Sequence, residues 1–146
     1  MKWRIDRADD AALEEMYRWR YEPPYEFYNG DEEEPVGNPE RYFFTRGEDG
    51  RVAGFYYFEP KGDVLEYGLG LRPDLTGRGL GLEFFRCGLE FGRGRYGPRL
   101  VRLYVAAFNA RAITVYERAG FRETDRHVRS FENWGDVEFV QMDELS

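Results

Sequence analysis

The stretch LRPDLTGRGLG at 71 to 81 follows a strand-like run, VLEYGLGL at 64 to 71, and leads into a helix-like run from Leu80 to Gly92. Strand, glycine loop and helix start in that order describe an anion site. The first turn of a helix leaves N–H groups without intrahelical partners and carries about half a positive charge, so phosphate oxygens are held there. Gly77, Gly79 and Gly81 put no Cβ between an amide and its ligand, and Arg78 adds a full charge between two of them. Taken alone, three glycines also read as a plain tight turn. Two nucleotide motifs are absent. A Walker loop needs Lys then Ser or Thr where Gly81 is followed by Leu82 and Glu83, and both GxGxxG registers fail, at Leu82 and at Phe84.

A chain of 146 residues makes one domain that buries about two-thirds of its unfolded surface. The longest apolar run, AGFYYF at 53 to 58, is far short of the ~18 residues of a membrane span, and MKWRIDRADD lacks the apolar core of a signal peptide. A soluble, cytoplasmic protein with no membrane partner is therefore expected. Cys87 is the only cysteine and His127 the only histidine, which excludes an internal disulfide and a structural zinc cluster, so no metal is expected. Cys87, among Phe84, Phe85 and Leu89, reads as a buried structural thiol, and His127 as a surface-strand residue. The net charge of -7 argues against nucleic acid, but it is uneven. Arg72 to Arg129 holds 12 Arg and 6 acids, a balance of +6, which leaves -13 elsewhere. That asymmetry suits a cleft with an anionic ligand on one side and a cationic one on the other; solvated faces would also produce it.

In chain order, Trp3 to Ile5 is a short strand, and Asp9 or Asp10 caps a helix with Leu13, Met16 and Tyr17 on its apolar face. Residues 21–41 break every period with prolines, glycines and the acids Asp31 to Glu34. The aromatic residues Tyr21, Tyr25, Phe27 and Tyr28 make this segment a lid over a pocket, or a connector packed for structure. Two strands follow, at 42 to 46 and 51 to 58, the second apolar on both faces and so inside a sheet. In the strand at 64 to 71, Leu65, Tyr67, Leu69 and Leu71 share the core face. Val64, Glu66, Gly68 and Gly70 share the other, where two missing side chains suggest a bulge or a ligand. The helix at 80 to 92 ends in GRGRYGP, a strand runs from 100 to 107, and NARAITVYERAG at 109 to 120 is a helix with Asn109 and Gly120 as caps. Strands at 121 to 131 and 137 to 142 close the chain. This order predicts one α/β domain: a single sheet with helices on its faces.

These residues resemble the GNAT superfamily of acyl-CoA-dependent N-acyltransferases. RPDLTGRGLG at 72 to 81 looks like its pyrophosphate loop and NARAITVYERAGF at 109 to 121 like its second signature, and the strand order extends the likeness over nearly the whole chain. Thr76 stands where the family pattern usually has Gln or Arg. The resemblance implies a mixed, mostly antiparallel sheet with helices on both faces, and acetyl-CoA lying where the strands at 64 to 71 and 100 to 107 splay apart. Backbone groups of Leu69 and Leu71 would pair with its pantetheine arm. Thr76, Gly77, Arg78, Gly79, Leu80 and Gly81 would hold the pyrophosphate, and Asn109 would contact the arm.

Acetyl transfer to an amine also needs a proton acceptor, because a primary amine with a pKa near 10 is only about 0.1% neutral at pH 7. Glu66, on the glycine face of its strand, is the candidate base, directly or through water. Tyr116 matches the tyrosine that protonates the leaving thiolate in the family, although it also suits a buried face. The expected acceptor is a small-molecule or peptide amine under the lid residues Tyr25, Phe27 and Tyr28, and a homodimer through the C-terminal strands would fit. The other reading is a non-catalytic module of the same fold that binds acyl-CoA.

Overall fold

A computed structural model describes residues 3–30 and 36–145, and the acids Asp31 to Glu34 lie outside them. The described chain forms one seven-stranded sheet. Its strands in chain order are β1 (Ile5–Arg7), β2 (Tyr42–Arg46), β3 (Val52–Lys61), β4 (Val64–Leu71), β5 (Leu100–Ala106), β6 (Phe121–Phe131) and β7 (Gly135–Glu144). Across the sheet the order is β1-β2-β3-β4-β5-β7-β6. Every pairing is antiparallel except β4 with β5, so the sheet is mixed and mostly antiparallel, as expected. The doubly apolar β3 lies between β2 and β4, inside the sheet.

Three helices complete the described fold: α1 (Asp10–Tyr17), α2 (Gly81–Tyr96) and α3 (Ala110–Arg118). α2 and α3 cover one face, where Phe84, Phe85, Leu89 and Tyr116 meet Tyr56, Phe58, Leu65, Tyr67 and Leu103. α1 covers the opposite face, setting Ala12, Leu13 and Met16 on Phe44 and Val52. Each large side chain buried this way contributes about 1.5–3 kcal/mol. Two helix starts are capped as their sequences predict. Asp9 Oδ1 accepts from the Ala12 N–H at 2.8 Å, and Asn109 Oδ1 accepts from the Ala112 N–H at 3.2 Å.

α2 departs from expectation. Instead of stopping at Gly92 it continues to Tyr96 and ends at Gly97, whose φ of +81° no other residue takes so readily. Gly88 and Gly92 are contact points. A Cβ at Gly88 would lie 2.2 Å from Tyr67 Oη and 2.3 Å from Tyr56 Cε1, and one at Gly92 would lie 2.5 Å from Phe58 Cε1. The helix can therefore lie directly on the rings, and Tyr56 and Tyr67 donate their hydroxyls to the Phe84 and Phe85 carbonyls at 2.7 and 2.8 Å.

The glycines of β4 are a second departure. β4 pairs with β3 in unbroken register from Val64 to Leu71, without a bulge. Gly70 is bare because the Phe55 ring covers it, 2.5 Å from where a Cβ would stand, whereas a Cβ at Gly68 would make ordinary contact with Tyr57 at 3.6 Å. The missing Gly70 side chain thus serves a cross-strand ring. Strand ends also moved: β3 runs three residues past Phe58, because Pro60 and Lys61 still pair with Leu65 and Val64 around a tight turn with Gly62 at φ +58°.

Candidate active site

β4 and β5 pair for only three rungs, Val64–Leu100, Leu65–Val101 and Glu66–Arg102, although β4 runs on to Leu71 and β5 to Ala106. Beyond the third rung the strands part, and a slot opens in the middle of the sheet. Arg72 donates its N–H to the Ala53 carbonyl of β3 at 2.8 Å. By strand alternation, the peptide groups of Leu71 and Leu69 then face the slot. At Leu71 the carbonyl already accepts a 2.6 Å hydrogen bond from Tyr21 Oη.

The glycine loop lies between the end of β4 and the start of α2. Gly77 and Gly79 have φ of +72° and +78°; nothing lies within 4 Å of a Cβ at Gly79, and only Arg111 Nη1, at 3.8 Å, near one at Gly77. Gly81 has a different task. It is the first residue of α2, and its missing side chain lets the helix approach Val115 of α3, 3.3 Å from a Cβ placed there. Unlike α1 and α3, α2 has no side-chain cap at Leu80, so the first-turn amides keep their donors for a ligand. Arg78 is exposed on the loop. Thr76 faces inward, donating Oγ1 to the Pro73 carbonyl at 2.7 Å. Below the loop, buried Arg72 forms ion pairs with Asp74 at 2.6 Å and Asp49 at 3.1 Å, and donates to the Val52 carbonyl at 3.3 Å. Open amides with cations beside them fit a phosphate group.

The two candidate catalytic side chains lie on opposite faces of the sheet. Tyr116, on α3, packs on Phe85 with ring centroids 5.0 Å apart, on the α2 side. Its hydroxyl has no hydrogen-bond partner among the described residues, and burial, with Tyr28 nearby, raises its pKa above the usual tyrosine value. It stays a proton donor at neutral pH. Glu66 lies on the α1 face at the last rung before the slot. Arg102 is its rung partner, but that guanidinium is held by Asp143 through two bonds of 2.7 and 3.1 Å. Glu66 instead pairs with Lys61 Nζ at 3.3 Å, and Lys61 also reaches Glu59 at 3.5 Å. Glu66 thus stands beside the opening, and Tyr116 lies on the other face of the sheet without touching it.

The lid segment is ordered as a 3-10 turn, Tyr25–Tyr28. Tyr28 Oη accepts from Asn109 Nδ2 at 3.2 Å, and the Arg111 guanidinium stands 4.3 Å over the Tyr25 ring. Phe27 is edge-on to Tyr28 and Phe108 at 5.2 and 5.8 Å, and also to Phe131 at 5.0 Å and Trp134 at 6.0 Å. An open groove of about 830 Å³ lies there, between the lid turn and the β6–β7 hairpin. Arg111 and the aromatic groove were not among the sequence candidates. Arg111 sits two residues after the recognised Asn109, but only the contact of α3 with the glycine loop shows its use.

Cys87 donates Sγ–H to the Trp3 carbonyl at 3.6 Å, and burial raises its pKa, as suits a structural thiol. His127 lies on β6, as expected. Among the described residues no group of three or more His, Cys, Asp or Glu is placed to hold a metal, and no helix is long and apolar enough to cross a membrane.

A mixed sheet parted at its one parallel pair, with a glycine loop and an uncapped helix at the opening, defines an architecture shared with solved acetyltransferases. A chimera of spermidine N-acetyltransferase SpeG from Vibrio cholerae and hSSAT superimposes with a TM-score of 0.79, covering 99% of this chain and 96% of its own at 17% identity. That likeness concerns the fold. The chain belongs to the acetyltransferase (GNAT) family, whose model matches residues 9–121. A mycothiol acetyltransferase from Clavibacter michiganensis is 42% identical over 91 residues, which are 62% of this chain and 29% of that protein. Another, from Geodermatophilus obscurus, is 36% identical over 114 residues, 78% of this chain and 33% of that one. The chain thus spans about a third of the length of the curated relatives it matches.

Proposed function

We propose that this chain is an N-acetyltransferase that moves an acetyl group from acetyl-CoA to a primary amine by direct attack. The observation that carries this reading is the slot, whose open end meets the glycine loop and the uncapped start of α2. On this reading Leu69 and Leu71 offer backbone groups to the pantetheine arm. The amides from Gly77 to Gly81, with Arg78 and Arg111, hold the phosphates, and Asn109 contacts the arm from the start of α3. Thr76 supports the loop through its bond to Pro73. Bound acetyl-CoA supplies an acetyl group on a thiol that leaves readily.

The chain's own side chains handle the protons. Glu66 takes the proton from the amine, directly or through water, once Lys61 has swung aside; Lys61 is mostly exposed, so breaking the pair is cheap. Tyr116 gives its proton at Oη to the leaving thiolate from the other face, and its raised pKa keeps that proton available.

Two measurements test this. CoA should raise the melting temperature by mass action, and Gly79→Glu, which sets a negative charge in open space at the loop and strains a residue at φ +78°, should abolish that rise when measured against the variant's own baseline. Acetyl-CoA with a panel of amines should release thiol. Absence of any melting shift at millimolar CoA would overturn the reading, and a shift without thiol release would leave a binding module.

A further inference from the structure

Resting on that reaction, we infer that the acceptor carries a carboxylate on a flat ring, and that Arg129 is the residue that takes the carboxylate. The groove between the lid turn and the β6–β7 hairpin is walled by Phe27, Phe131, Trp134 and Phe139. Their edges and faces meet at centroid distances of 5.0 to 6.2 Å around Phe27. Trp134 leaves 48% of its surface to solvent and meets one ring, Phe27, at 6.0 Å. These rings offer faces and edges to a flat ligand, beside the charged and amide side chains that make up the rest of the lining.

Two arginines line this groove. Arg20 is used by the fold, since its Nη1 donates to the carbonyls of Tyr17, Trp19 and Gly30 at 2.8, 2.6 and 3.2 Å. Arg129 is not. Its guanidinium carbon stands 4.6 Å over Phe139 and 5.2 Å over Tyr104, and Nε donates to His127 Nε2 at 2.8 Å. No carboxylate among the described residues pairs with it, whereas its neighbours are matched: Arg126 with Glu123 and Glu138, Arg102 with Asp143. Stacking on two rings fixes the plane of the guanidinium and leaves both terminal nitrogens to form a fork for a carboxylate. Glu26 and Glu132 also line the groove, on the lid and in the exposed hairpin turn. The charged lining is thus two arginines and two glutamates, and of the four only Arg129 is stacked on buried Phe139.

The placement limits the size of the acceptor. Tyr104 is two residues past Arg102, the last rung before the slot, and Arg129 lies over β5 and β7. Strands stand about 4.8 Å apart, so the guanidinium is roughly 5–10 Å from the opening. An amine and a carboxylate a few bonds apart on one small molecule span that distance.

The test uses matched amines, phenylalanine with phenethylamine and 4-(aminomethyl)benzoate with benzylamine. Each is measured by kcat/KM for thiol release and, without acetyl-CoA, by Kd from tryptophan fluorescence, to which Trp134 contributes. In the parent the carboxylated member of a pair should lead by about 10-fold in both quantities, the scale of one charge-assisted fork. Arg129→Gln should bring each pair to parity and leave phenethylamine and benzylamine unchanged. Equal preference in parent and variant, or a parent preference for the amines without carboxylate, overturns the inference. Should no amine release thiol, the proposed reaction fails, and the fluorescence titration alone decides whether the groove selects carboxylates through Arg129.

Discussion

Two glycines of α2 should respond to the same substitution with opposite signs. At Gly88 an alanine Cβ would stand 2.2 Å from Tyr67 Oη and 2.3 and 2.5 Å from carbons of the Tyr56 ring, both tyrosines being buried. Neither ring can retreat, because each hydroxyl is tied to a carbonyl of the same helix. Overpacking of this kind costs about 1–3 kcal/mol, and pushing one buried hydroxyl off its acceptor costs about 1–3 more. Alanine returns about 1 kcal/mol through its better helix propensity. The net is a loss of roughly 1–5 kcal/mol, which for a chain of this size lowers the melting temperature by about 2–20 °C. Gly94 is exposed on the same helix with nothing within 4 Å of a Cβ. Only the propensity gain remains there, so Gly94→Ala should raise the melting temperature by about 2–4 °C. Thermal melts of the two single variants decide it. A Gly88→Ala protein that melts at or above the parent would refute the account of how α2, and with it the glycine loop, is held on the sheet.

Tyr116→Phe should lower turnover by ~10²-fold or more with CoA affinity little changed, as steady-state and binding measurements would show; unchanged turnover returns Tyr116 to a packing role. Glu66→Gln should depress turnover most at low pH and recover part of the rate as the amine loses its proton unaided, so a pH profile identical to the parent's would move the base elsewhere. Below the loop, the Arg72 guanidinium holds Asp74 below its usual pKa, and the Arg51 amide followed by Arg72 does so for Asp49. Folded-state pKa values below the unfolded ones give stability that is present above the ordinary carboxylate pKa of about 3.9 and lost as pH falls through the lower folded values. The melting difference between parent and Asp74→Asn should thus hold constant near neutrality and shrink toward zero in acid.

What was legible in the sequence was local. The alternation in VLEYGLGL placed Leu65 and Tyr67 in the core, Asp9 and Asn109 marked two helix starts, and the order of strands and helices implied one sheet with helices on its faces, while its mixed character came from the family resemblance. The errors came where a residue's reason lies on another element. Gly88, Gly92 and Gly70 look like breakers in sequence because the rings that need them bare, Tyr56, Phe58 and Phe55, sit on strands apart from them in the chain. Arg72 reads as a loop cation, yet it is buried beneath the loop by two aspartates, one of them 23 residues earlier. The face of Glu66 followed from alternation. Its pairing with Lys61 did not, because it depends on the turn at Gly62 folding β3 back beside β4. Arg129 was hidden for the same reason, since its lack of a carboxylate is a property of the assembled hairpin.

One short segment touches both halves of the proposed chemistry. Tyr21 donates to the Leu71 carbonyl in the slot, Tyr25 lies under Arg111 beside the glycine loop, and Tyr28 accepts from Asn109. Phe27, between Tyr25 and Tyr28, forms part of the groove wall. A carbonyl oxygen has two lone pairs, so Tyr21 and a ligand can share Leu71, but Asn109 Nδ2 and the face of Arg111 are engaged with lid rings. A ligand that takes those groups must shift Tyr25 and Tyr28, and a 3-10 turn of four residues cannot move these two without turning Phe27. Filling of the slot is thereby felt in the groove, and an acceptor seated against Phe27 acts back on the slot through the same turn. By linkage the two effects on affinity are equal in size, so on this reading the lid does more than cover a pocket: it makes cofactor binding and acceptor binding one coupled equilibrium.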